Sequence, residues 1–254
     1  QRPRQMRGLW LAGVLLALGG CGRYFPQNLQ PVPQQAVDMI VNDDGSVTYS
    51  HDRLAISLKP MTDAELNRQF PDASVGGEES VNPYTYGDWV LPGQDWTPSR
   101  FTVVQLKVSN YQYPKVSIDP IKATIVSPNK RAYRSMSYGH LYEYYRAYHL
   151  GRTGAGKKAF RNRTDILRQT MYTGVTTIFS GNEEASYLVF PLLDDDVTNI
   201  QLTLEDIGVR FDYSGEPIET LDLTFSFERE VLRGYNPSDA VPVGTPAHAA
   251  ADRQ

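Results

Sequence analysis

The chain has 254 residues, with 25 Lys and Arg against 29 Asp and Glu and a formal net charge of −4. An acidic balance lacks the broad positive field that phosphate recognition uses, which argues against a general nucleic-acid binder. The single cysteine excludes an internal disulfide and any cluster of cysteine metal ligands.

Residues 1–20 have three parts. Basic Arg2, Arg4 and Arg7 precede an apolar run from Leu9 to Ala17, and Leu18-Gly19-Gly20 then leads directly into the one cysteine, Cys21. The apolar run is too short to span a bilayer comfortably, and paired glycines let a peptidase approach the backbone. Leu-Gly-Gly-Cys resembles the lipobox of bacterial lipoproteins. That resemblance implies a signal peptide over 1–20, cleavage before Cys21, and acylation of the Cys21 sulfur and of the new amino terminus. Two or more acyl chains hold a protein stably on a membrane, so the resemblance implies a lipid-anchored cell-envelope protein. Gly22 stands where an aspartate would resemble an inner-membrane retention signal; this points to the outer membrane facing the periplasm, with the cell surface as the alternative. Loss of the three leader arginines takes the net charge to about −7.

Residues 21–35 contain GRYFPQNLQPVPQQ, rich in proline and glutamine and without apolar periodicity, which predicts an extended tether. The body is expected over 36–235. Its dominant signal is alternation with period two: Leu54, Ile56, Leu58; Val104, Leu106, Val108; Ile200, Leu202, Leu204; and Leu221, Leu223, Phe225, Phe227, each interleaved with polar residues. A strand with one wet face has this pattern. Asn42-Asp43-Asp44-Gly45 and Ser214-Gly215 supply hairpin turns. Short one-faced strands joined by turns predict a mainly β protein, an antiparallel sandwich that resembles the immunoglobulin fold in architecture only, because the Cys-Trp-Cys hallmark is missing.

Two helical passages interrupt the strands. Thr62-Asp63-Ala64-Glu65 is a capping box opening a short helix that Pro71 ends. Between about 138 and 172, Leu141, Tyr144, Tyr145 and Tyr148, and then Phe160, Leu167 and Met171, follow helical spacing around a glycine-rich joint at 151–156, which predicts an inserted helical hairpin. Gly151 and Gly156-Lys157 match part of a phosphate-binding loop, but Lys158 replaces the hydroxyl residue and the preceding segment reads as helix, so a helix connection is the better reading. Around the joint stand Arg146, Arg152, Lys157, Lys158, Arg161, Arg163 and Arg168, opposed locally by Glu143 and Asp165 alone. Tyr133, Tyr138, Tyr142, Tyr144, Tyr145 and Tyr148 lie nearby. These residues form either a solvated helix face with tyrosines packed beneath it or an interaction surface; the second reading assigns Tyr142, Tyr145, Arg146, Arg152, Lys157, Lys158, Arg161 and Arg168 to that surface.

The histidines show no metal-binding spacing, no serine lies in a nucleophile elbow, and Asp194-Asp195-Asp196 lacks the ligand alternation of a calcium loop. No cofactor or metal is predicted. The tail over 236–254, with three prolines and an alanine run, is expected to be disordered. The functional expectation is a noncatalytic envelope protein that acts as an interaction or scaffold subunit of a membrane-associated assembly, with an envelope protein as partner. A module for glycan or anionic lipid using the insertion is the alternative, and an envelope hydrolase comes third.

Overall fold

A computed structural model describes residues 22–149 and 154–243. The alternating strands form two antiparallel sheets that face one another, and the fold is a mainly β sandwich with an inserted helical hairpin. In the first sheet β3 (Met39–Val41), β4 (Val47–His51), β5 (Leu54–Met61), β6 (Thr102–Asn110) and β11 (Asn182–Phe190) lie in the order β11-β6-β5-β4-β3. The first hairpin forms at the predicted turn. Gly45 adopts φ +80°, its N–H bonds to the Asn42 carbonyl at 3.0 Å, and Asn42 N–H closes on Ser46 at 2.8 Å. Glycine suits that left-handed position because it carries no Cβ.

The second sheet has β12 (Asn199–Phe211) at its centre. It runs β10-β7-β12-β13-β2, from β2 (Gln30–Pro31), β7 (Lys115–Ile118), β10 (Thr176–Phe179) and β13 (Pro217–Glu228), while β8 (Ala123–Val126) also pairs with β12 and carries β9 (Ala132–Arg134). Pairing of β12 with β13 jumps from Leu204/Leu223 to Ile207/Leu221, and Asp206 takes φ +55° in the bulge. The extra residue changes parity, so Ile200, Leu202 and Leu204 are followed on the inner face by Ile207 and Val209. Asp206 is held by its backbone N–H on the Asp222 carboxylate at 2.8 Å and by Lys122 at 2.9 Å. Side chains from both sheets, including Leu58, Leu106, Leu202 and Phe225, merge into one core.

The expected tether does not stand free. The segment packs on the sandwich: β1 (Arg23–Pro26) pairs with β14 (Val231–Gly234), β2 pairs with β13, and Phe25 is 7% exposed. Gln35 donates to the Ser226 and Val32 carbonyls at 2.7 and 2.8 Å and accepts from Ser226 N–H at 3.0 Å. A glutamine amide thus completes backbone bonds at the edge of β13, a pairing that carries no apolar periodicity and so left no trace in the pattern. The start of the expected tail also folds back, as β15 (Val241–Pro242) pairs with β14.

Helix α1 (Asp63–Gln69) has the predicted capping box, with Thr62 Oγ1 accepting from Glu65 N–H at 3.1 Å and Glu65 accepting from Thr62 N–H at 2.9 Å. Helices α2 (Tyr138–His149) and α3 (Gly154–Thr170) form the hairpin. With α1 they cover the outer side of the first sheet: Leu66 of α1, Leu141 and Tyr145 of α2, Leu167 of α3 and Met171 just beyond it join Val103, Tyr187 and Val189 in a second core. Val103 and Val189 are the strand neighbours of Val104 and Leu188, which point into the first core. The molecule therefore has three layers, sheet, sheet and helices.

Candidate functional site

The helical hairpin presents a basic outer face. Lys157, Lys158, Arg161, Asp165 and Arg168 of α3 are exposed, while Phe160 is half-buried and Leu167 and Met171 are buried beneath them, as spacing at 3.6 residues per turn requires. On α2, exposed Arg146 pairs with Glu143 one turn earlier at 2.9 Å. Tyr142 is half-buried and its ring meets Phe160 at 5.1 Å, edge on, with Tyr138 on its other side at 6.2 Å. Arg168 donates to the Tyr138 hydroxyl at 3.2 Å. Tyr142, Arg146, Lys157, Lys158, Arg161 and Arg168 are thus brought onto one helical unit; Cys21 and Arg152 lie outside the described residues.

Tyr145 does not belong to that surface. It is 1% exposed, its hydroxyl donates to the Pro83 carbonyl at 2.5 Å, and it accepts from Arg100 Nη1 at 3.0 Å. Burial pushes the phenol up to about 12, partly offset by the Arg100 charge and hydrogen bond. The i, i+4 relation to Leu141 places Tyr145 on the inward stripe, so it follows the packing alternative. Arg163 leaves the basic face for the same reason: it is 2% exposed, donates to the Ser80 carbonyl and faces the Tyr145 ring at 5.2 Å. Gly156 and Lys157 fall in the first turn of α3, and Gly151 lies outside the described residues.

A second feature had no counterpart in the sequence pattern. Where β1, the start of α1, and segments 96–103 and 192–195 meet, a cleft of about 590 Å³ opens at one end of the sandwich. Trp96 stands at right angles to Phe25 at 5.5 Å, and Phe101 and Val103 connect the cleft to the helical core. The Asp63 carboxylate accepts from Ser99 Oγ at 3.0 Å; burial pushes its pKa up, against the opposing pull of Ser99 and of the Arg100 charge. Asp195 and Arg229 also line the cleft. Arg229 donates through Nε to the Val197 carbonyl and through Nη2 to the Asp194 carbonyl, both at 2.7 Å, and burial pulls its pKa down. These residues come from separate stretches of chain, and no local spacing connects them.

The acidic triplet beside the cleft is a clamped turn. Arg131 bridges Asp194 at 2.9 Å and Asp196 at 2.5 Å, and Tyr133 donates its hydroxyl to Asp194 at 2.7 Å. Among the described residues no three His, Cys, Asp or Glu side chains are grouped to hold a metal ion, and no helix is long and apolar enough to cross a membrane. Comparison of the chain with protein-family models, with curated proteins and with solved structures finds no match.

Proposed function

We propose that this protein is a noncatalytic, lipid-anchored component of a bacterial cell envelope that docks a membrane-associated protein assembly through the outer face of its helical hairpin. The observation that carries the reading is the local reversal of charge. Lys157, Lys158, Arg161, Arg168 and Arg146 are exposed together on an otherwise acidic chain, with Glu143 and Asp165 among them. Such a patch attracts an acidic partner at long range and contributes more to association rate and register than to raw affinity. The lipobox-like leader supplies the anchoring half of the proposal, since acylation at Cys21 would place the patch near other envelope components. Anionic lipid headgroups are the second reading, favoured by the same cations.

The test replaces Lys157, Lys158 and Arg161 by Glu in the full-length protein. Because all three are exposed, the thermal transition should stay within about 2 °C of the original, as for surface charges generally. Recovery of a defined partner complex from solubilised membranes should fall severalfold, and the original interaction should weaken between low and moderate salt. Unchanged recovery in the triple variant, or recovery insensitive to salt, would remove the hairpin from the interface. Salt-dependent binding to anionic vesicles, lost in the variant while partner recovery persists, would favour the headgroup reading.

A further inference from the structure

We propose that the cleft between β1, α1 and the 96–103 segment binds a short, uncharged oligosaccharide bearing acetamido groups. The inference does not depend on the basic face, because none of the hairpin's exposed cations lines the cleft.

Size comes first. A volume of about 590 Å³ lies within the range of small-molecule sites, and is far larger than an ion or a single water needs. The chemistry of the walls then narrows the class. Trp96 contributes an aromatic residue to the lining, Asp63 and Asp195 contribute carboxylates, and Met61 and Phe101 supply apolar surface. A sugar has C–H faces that pack on aromatic and apolar surface, and hydroxyls that donate to carboxylates. An acetamido group adds one N–H donor and one methyl, matching the same mixture at smaller scale.

Other ligand classes fit less well. Hydrocarbon would remove Asp63 further from water without giving it a hydrogen-bond donor, a substantial cost for a carboxylate already penalised by burial. An anion would meet Asp63 and Asp195. The one guanidinium in the wall spends two of its nitrogens on the Val197 and Asp194 carbonyls, so Arg229 braces the wall of the cleft. For a metal cation, no three His, Cys, Asp or Glu side chains are grouped among the described residues. The site is also preorganised. Asp63 sits at the first turn of a capped helix and is held by Ser99, and Trp96 is fixed against Phe25.

The experiment uses the full-length protein in a polyoxyethylene-ether detergent, which has no sugar headgroup, and the neutral probe tetra-N-acetylchitotetraose. Calorimetric titration should show saturable binding with one site and a Kd of about 1 mM or tighter. Asp63→Asn should weaken it about tenfold, the effect of removing hydrogen bonds to a charged acceptor. This variant keeps the side-chain shape and relieves the burial cost of a carboxylate, so its thermal transition should be unchanged or higher. Trp96→Phe retains an aromatic ring and should also weaken binding, while Lys158→Glu on the hairpin should leave it unchanged. Absence of saturation up to about 10 mM probe overturns the proposal. So does original affinity in both folded cleft variants, and so does loss of binding in Lys158→Glu. Saturation by a neutral extended peptide, with the tetrasaccharide inert, would make the cleft a peptide groove and equally overturn it.

Discussion

Asn82 shows how a single side chain organises a stretch of backbone with no regular structure. It is fully buried. Its amide nitrogen donates to Ser74 Oγ at 2.9 Å and Asn67 Oδ1 at 3.3 Å, and its oxygen accepts from Tyr84 N–H at 2.9 Å. Gly87 completes the same network, with φ +65° and its N–H on Thr85 Oγ1 at 3.0 Å; a Cβ there would lie 2.4 Å from both the Ser74 carbonyl oxygen and Ser80 Oγ. Because one contact is backbone and the φ is left-handed, no rotamer change relieves the clash. We expect Gly87→Ala and Asn82→Ala each to cost about 2–4 kcal/mol in urea denaturation, through strain and through buried polar groups left without partners. A cost below about 0.5 kcal/mol for both would show that the 70–101 segment is not stabilised by this network. The consequence reaches the helices. Asn82 also offers its backbone carbonyl to Arg100 at 3.3 Å, and Arg100 in turn holds Tyr145, so the network ties α2 to the irregular segment. Helical spacing sets Tyr145 beside Leu141 but left open whether it packs inward or joins the interaction surface; its hydrogen-bond partners Arg100 and Pro83, which settle its burial, lie some 45 and 62 residues away and no local pattern joins them.

At the scale of elements, β13 gives the clearest case of a pattern that becomes packing. Leu223, Phe225 and Phe227 are buried while Asp222 and Glu228 are exposed. Removing the Phe225 ring leaves a cavity between the sheets, so Phe225→Ala should cost about 3–5 kcal/mol. Thr224 faces the other way and is half-buried; its hydroxyl pairs with Thr203 across the strand at 3.0 Å, which makes the expected cost of Thr224→Ala about 0.5–1 kcal/mol. Urea titrations of the two variants measure the difference directly, and equal losses would contradict the inward face. The hairpin obeys the same logic with a helical period. Its apolar stripe meets outward-facing Val103, Tyr187 and Val189, which give the first sheet a dry patch on both sides. Alternation predicts one wet face for such strands, and it fails here because a neighbouring layer covers the second face. The bulge at Asp206 is the corresponding exception in β12, where strict alternation would have sent Ile207 and Val209 outward.

For the whole molecule, the sign of the carboxylate shifts sets the response to acid. Asp44 is held below the usual range by the Ser46 hydroxyl, Asp212 by the Ser214 hydroxyl, Asp196 by Arg131 and Glu183 by Lys107. A depressed folded-state pKa contributes stability that is present above the unfolded value and lost as pH falls through the folded one. Asp63 acts in the opposite sense: its raised pKa contributes stability below the unfolded value, which is lost as pH rises through the folded one. Glu65 is also depressed, its burial outweighed by the hydrogen bonds of Thr62 and Lys59, and five depressed groups against Asp63 predict a thermal midpoint that declines below about pH 4, which melts across a pH series at fixed salt check. Asp63→Asn should leave that acid limb in place and raise the midpoint near neutrality; an acid limb that vanishes in this variant would contradict the assignment. Sequence by itself determined the mainly β class, the two hairpin turns, the capping box, the limits of the helical insertion and the exposed cations of α3, because each is written in contacts between residues a few positions apart. Only the tertiary structure decided that the segment after residue 21 folds onto β13 and β14, that Tyr145 and Arg163 are buried, and that Asp63, Trp96 and Arg229 share a cleft. Those outcomes depend on which distant surfaces meet, and burial or hydrogen bonding created at such a junction has no period along the chain.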